Sequence, residues 1–164
     1  MTFTITHFNF SDEYFKRIFL KKDFIRLLEK LKGDEKGKWG IMNAQQMIEH
    51  FVHAVKSANG KLILPTLNEG EKQQKFRYFL MSEEPFKENT KNPLIAAEGI
   101  PLRQPDMHSA INKLKKELDY FFEVFENHPE LKTGNALFGE LDYDMNIQLL
   151  YKHAMHHLKQ FGLV

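Results

Sequence analysis

Four stretches of this 164-residue chain set apolar side chains three or four residues apart, a repeat that only amphipathic helices use well. The cleanest joins Ile111, Leu114, Leu118, Phe121, Phe122 and Phe125; it opens at Asp106 and stops at His128 and Pro129. A second runs from about Asp142 to Lys159 through Ile147, Leu150, Ala154 and Leu158, continues to Phe161, and stops at Gly162. A third carries Met47, Ile48, Phe51, Val52 and Val55, with Asn59 and Gly60 as its stop. Asn43 followed three residues later by Gln46 is the sequence form of a capping box, so that helix starts at Asn43. The first stretch, residues 11–32, places Phe15, Ile18, Phe19, Ile25, Leu28 and Leu31 on one side, with Ser11 as its N-cap and Asp12 and Glu13 in the first turn. Lys21, Lys22 and Asp23 interrupt it, and a break into two pieces is expected there. Gly33 and Gly37 end it.

Residues 60–106 are of another kind. Five of the six prolines fall there, at Pro65, Pro85, Pro93, Pro101 and Pro105. A connection of that length is seldom structureless, so a short helix is expected over residues 71–81, with the remainder crossing the surface. The opening residues 1–10 alternate apolar and polar and read as an extended arm or strand. The whole predicts an all-α fold, a four-helix bundle with a long crossover between its second and third helices, in one domain over residues 1–164. Fifteen phenylalanines supply much of the core volume.

Composition narrows the function. There is no cysteine, so thiolate ligands, disulfides and a cysteine nucleophile are excluded, and any metal must take nitrogen or oxygen ligands. With 23 basic and 22 acidic residues the net charge is +1, which speaks against a nucleic-acid partner. The opening lacks a basic segment followed by an apolar run, and no apolar run is long enough for a membrane, so a cytoplasmic protein is expected. No dinucleotide, phosphate-loop or serine-elbow motif is present. The basic run at residues 113–117 reads as the wet face of the third helix.

The eight histidines carry the chemistry. His7, His53, His108 and His128 read as solvated or locally bonded. His153 and His157 lie four apart, one above the other on a helix, within reach of a single ion at bonds of about 2.0–2.1 Å for zinc. Eight histidines in a chain this long give roughly 0.4 such pairs by chance, so position must add weight. On a wheel started at Asp142, the apolar stripe centres at about 120°, His157 falls near 60° and His153 near 20°, on the flank of the core. His156, near 320°, points away to solvent or a partner. Two imidazoles make a poor site, and His50 on the second helix is the best third ligand. Residues 153–157 have Ala154 where a zinc peptidase needs glutamate, so no peptidase is expected.

The stretches WGIMNAQQMIEH (residues 39–50) and FGELDYDMNIQLLYKHAMHHLKQFGLV (residues 138–164) resemble the DinB/YfiT-like superfamily of metal-dependent enzymes, and within it a branch known only as a domain of unknown function. The resemblance spans the chain in helix order. It implies a four-helix bundle with a long link between the second and third helices, and often a homodimer. It also implies nickel or zinc held by His50, His153 and His157. Relatives often carry Trp where this chain has Asn146 and Asp where it has Met155. Asn146 is in line with His153 and His157 on the wheel and is a candidate to line the cleft. Tyr151 and Gln160 are further candidates for the cleft or for supporting a ligand, with packing or solvent the plainer reading for both.

Three neutral imidazoles leave positions on a cation open to a small molecule. The expected function is a metal-dependent enzyme of hydrolase or thiol S-transferase type, activating water or a thiol against a small-molecule substrate. Glu49, next to His50, faces away and offers no general base. The alternative is a non-catalytic helical protein that binds a small molecule, its metal site degenerate or empty.

Overall fold

The computed structural model describes residues 10–95 and 100–164, without the side chains of Phe10 and Ser11. Most of the opening arm, His7 among it, and the cap at Ser11 thus lie outside what is described. The fold is mainly helical, with one small hairpin, and belongs to the all-α class. Among the described residues no helix is long and apolar enough to cross a membrane.

The first rod is continuous where a break was expected. It consists of α1 (Phe10–Ile18), a π turn (Phe19–Asp23) and α2 (Phe24–Leu28). The reason lies in the spacing. Phe19 to Phe24 and Leu20 to Ile25 are steps of five, which a regular turn cannot align but a π turn can. The amide of Phe24 donates to the carbonyl of Phe19, and the two rings stack 6.3 Å apart. Lys21, Lys22 and Asp23 are the polar outer side of that turn. Phe19, Leu20, Phe24, Ile25 and Leu28 are buried behind it, while Phe15, counted in the same stripe, remains 54% exposed.

α3 (Ala44–Ala58) begins with the capping box read from the sequence. The Asn43 side chain accepts from the Gln46 amide at 2.9 Å, and the Gln46 side chain accepts from the Asn43 amide at 2.9 Å. It ends at Asn59, followed by Gly60 at a φ of 84°. The link holds the short helix α4 (Gly70–Met81), as expected. α5 (Met107–Asn127) is capped by Asp106, and α6 (Tyr143–Gln160) by Asp142, each through a carboxylate that accepts a backbone amide. α3 packs most extensively on α5 and also on α6, which in turn contacts α1 and α4. One core joins the π turn, α2, α3, α5 and α6; Phe24, Phe51, Phe121 and Phe122 are among its largest fully buried side chains.

Between α5 and α6 lies an antiparallel hairpin of β1 (Thr133–Asn135) and β2 (Gly139–Leu141), which the helical periodicity does not foretell. Its position is set by polar groups. Thr133 Oγ1 donates to the Ala58 carbonyl at 2.9 Å, and Ser57 Oγ to the Gly134 carbonyl at 3.2 Å. Leu141 and Phe138 join Leu80 of α4 in a small second core.

Two groups on helix neighbours of the candidate ligands fasten the link. Glu49 is buried, and its carboxylate accepts the backbone amides of Arg103 at 2.7 Å and Gln104 at 2.9 Å. Lys152 is buried too; its ammonium donates to the carbonyls of Phe79 at 2.7 Å and Ser82 at 3.2 Å, at the carboxyl end of α4 where the helix dipole favours a cation. Burial holds its pKa down to about 8. Gln148 adds a bond to the Leu80 carbonyl at 3.2 Å.

The basic run at residues 113–117 is not wholly a wet face. Glu117 is 1% exposed and pairs with Lys113 at 2.8 Å and Lys61 at 3.0 Å, while Asn59 donates to it at 2.9 Å. Burial opposes its charge, but these donors outweigh burial and hold its pKa at about 2, against 4.5 for a free glutamate. Its contribution is therefore present above pH 4.5 and lost as pH falls through about 2. Glu117→Gln is expected to lower stability at neutral pH by about 1–3 kcal/mol. In denaturant titrations its difference from the parent should shrink between pH 4.5 and 2.

Candidate metal centre

The geometry of a helix puts His153 above His157 on α6, and packing of α3 against α6 brings His50 to meet them. All three point their Nε2 atoms at one place. His153 Nε2 lies 2.8 Å from His157 Nε2 and 3.1 Å from His50 Nε2. One ring nitrogen from each histidine falls within 4.8 Å of the others, so these three could hold a metal ion. Nitrogens on a tetrahedral zinc ion with bonds of about 2.0–2.1 Å stand about 3.3–3.4 Å apart, a few tenths of an ångström wider than the contacts here. Side-chain adjustment covers that difference.

The donor set suits a cation. Burial, with the neighbouring rings, drives the pKa of His50 down to about 4, and holds His153 and His157 well below the ordinary histidine value. The rings are thus neutral at pH 7, the form that ligates. Gln160 fixes one of them further. Its Nε2 donates to the Trp39 carbonyl at 2.9 Å, so its Oε1 must be the atom 2.7 Å from His157 Nδ1. An amide oxygen only accepts, so His157 carries its proton on Nδ1 and turns the Nε2 lone pair toward the other two rings.

Apolar side chains flank the trio, of which His157 is buried and His50 and His153 are half-buried. The Phe51 ring, fully buried, lies 4.9 Å from that of His153, and Phe86 approaches His153 at 6.4 Å from the link. His156 does not point to open solvent as the wheel suggested. It is half-buried between Trp39 at 5.7 Å and Phe86 at 6.1 Å, because the link returns over that side of α6.

The remaining candidates are placed elsewhere. Asn146 is 1% exposed, and its Nδ2 donates to Thr133 Oγ1 at 2.9 Å and the Leu141 carbonyl at 3.1 Å, so its amide anchors the hairpin. Tyr151 packs edge-on to Phe15 and Phe19 of the first rod, at 6.1 and 5.2 Å. Gln160 alone of these three stays at the trio, bonded to His157. Glu49, read as facing away, is turned to the link backbone. Phe86 and the Trp39 carbonyl were not foreseen; nothing local in the sequence marks a link residue or a loop carbonyl as a neighbour of α6.

The chain was compared with family models, with curated proteins and with solved structures, and none of the three comparisons gives a match.

Protonating these rings costs native stability. Their native pKa values are depressed, so the unfolded chain binds more protons as pH falls from 6.5 toward 4, and the contribution of the neutral trio is lost over that range. Protein kept in chelator should lose stability steeply there. Replacing His50 by Gln should flatten the slope, as read from thermal midpoints across the pH series.

Proposed function

We propose that the chain is a metal-dependent enzyme of hydrolase or thiol S-transferase type, with His50, His153 and His157 holding a divalent cation, nickel or zinc. The convergence of three neutral imidazole nitrogens from two helices carries this reading. A cation held in this way supplies Lewis acidity that activates a water or a thiol as nucleophile. The protein's own contribution is threefold. The two helices fix the three donors; Gln160 keeps the His157 proton on the far nitrogen; Phe51 and Phe86 limit water around the rings.

The same reading takes the helices as a four-helix bundle of the DinB/YfiT-like kind. The motifs at residues 39–50 and 138–164, the capped start of α3 and the long link before α5 support it. It further takes the protein as a cytoplasmic homodimer acting on a small molecule. The second reading, a non-catalytic binding protein on the same scaffold, is favoured by the carboxylate nearest a ligand in sequence, Glu49, being committed to the link and so unable to serve as a general base.

Protein prepared without a histidine tag decides between them. Close to one nickel or zinc per chain is expected by elemental analysis, falling to a small fraction in His153→Ala while the helical circular dichroism stays. A parent protein that neither carries nor takes up metal would leave the binding-protein reading.

A further inference from the structure

The loop before α3 and the last turn of α6 are far apart in sequence and locked together in space. Gln160 is 3% exposed. Its backbone carbonyl accepts the Lys38 amide at 2.7 Å, and its side-chain amide reaches the Trp39 carbonyl. The loop comes so close that side chains are not tolerated. A Cβ on Gly37 would lie 2.9 Å from Gln160 Cγ; one on Gly40 would lie 2.8 Å from Gln160 Nε2. Gly40 also holds a φ of 79°, a backbone state that other residues enter at a cost. The loop is itself tied down, by a bridge between Lys36 and Asn43 and a bond from the Ala44 amide to the Glu35 carbonyl at 2.8 Å. Asn43 caps the helix that bears His50.

We propose that Gln160 is a positioning residue of the metal centre, clamped by residues 37–40 so that it dictates which nitrogen of His157 bears the proton and how tightly that ring binds a cation. The inference rests on the metal reading above. The chemistry follows from two fixed ends. The Trp39 carbonyl accepts a single kind of partner, a donor, and so determines which end of the Gln160 amide faces it. The other end, an oxygen, is then presented to His157 Nδ1. A ring whose Nδ1–H is held in this way keeps its Nε2 lone pair free, fixes its plane and becomes a better donor to a metal. Without the amide oxygen, His157 is released to the other tautomer, which places a hydrogen where the cation would sit. In this arrangement the Trp-Gly pair of the loop and the Gln-Phe-Gly end of α6 form one device.

Two variants separate this role from simple packing. Gln160→Leu keeps the bulk and loses both bonds. Gln160→Glu keeps an acceptor for His157 Nδ1 and loses the donor to Trp39. Zinc affinity is measured by competition with a chromophoric chelator, stability by thermal melting in chelator, and the His157 tautomer by ring-nitrogen NMR shifts of metal-free protein. Gln160→Leu is expected to weaken zinc binding about 10–100-fold and to lose the Nδ1–H tautomer. Gln160→Glu is expected to melt lower than the parent yet to keep the tautomer and bind zinc within a few-fold of it. Gly40→Ala, which alters no ligand, is expected to weaken zinc in the manner of Gln160→Leu. The role of Gln160 is overturned if the parent binds zinc and Gln160→Leu matches it in affinity and tautomer, or if affinity in both variants merely follows melting temperature. A parent that takes up no zinc overturns instead the metal reading, while the tautomer comparison still judges the clamp.

Discussion

Three ring nitrogens aimed at one point inside a protein repel unless a proton or a cation lies between them. That is the constraint on which this structure turns. Burial makes the proton an expensive answer, because a charged imidazolium would lose its water. His157 cannot contribute one to the gap, since its own is engaged by Gln160 on the far side. In the absence of a cation, His153 or His50 must offer its Nε2–H to the others, and one hydrogen cannot serve two contacts of 2.8 and 3.1 Å equally well. A cation serves all three rings. Among the described residues no buried polar side-chain atom lacks a hydrogen-bond partner, the three histidines included.

The surroundings of the three histidines depend on residues next to them in sequence. Glu49 precedes His50, and Lys152 precedes His153. Consecutive residues on a helix point about 100° apart, so each of these side chains lies around the rod from its neighbour. Glu49 takes hold of residues 103 and 104, and Lys152 takes hold of residues 79 and 82. The two ends of the crossing segment are fixed by the same helices that fix the rings. A carboxylate and an ammonium that would ordinarily be sought as catalysts are used here as fasteners.

Much of this was legible in the sequence because it is local. Asn43 with Gln46, Asp106 and Asp142 mark helix starts by chemistry that acts over three residues, and the structure begins helices there. The interval of four between His153 and His157 likewise needs only one helix. The π turn was legible in principle, from the two steps of five at Phe19 and Leu20, yet charge at Lys21 and Lys22 masked it as a break. What could not be read depends on contacts between distant segments. The hairpin is held by Thr133 and Ser57 on α3, and Asn146, which the wheel aligned with the histidines, is drawn to that hairpin instead. Glu117 looked wet because its helix neighbours are lysines; that Asn59 and Lys61 come from another element to bury it is a tertiary fact.

The pinned crossing has a consequence for how such a scaffold diversifies. The chain between Ser82 and Arg103 is held by an anchor at each end, both on helices, so lengthening it costs only the slow logarithmic penalty of loop closure. Phe86, the aromatic wall beside His153, is carried by this segment. A change of sequence there can remake the wall beside His153 while Glu49 and Lys152 keep their hold on the flanking backbone.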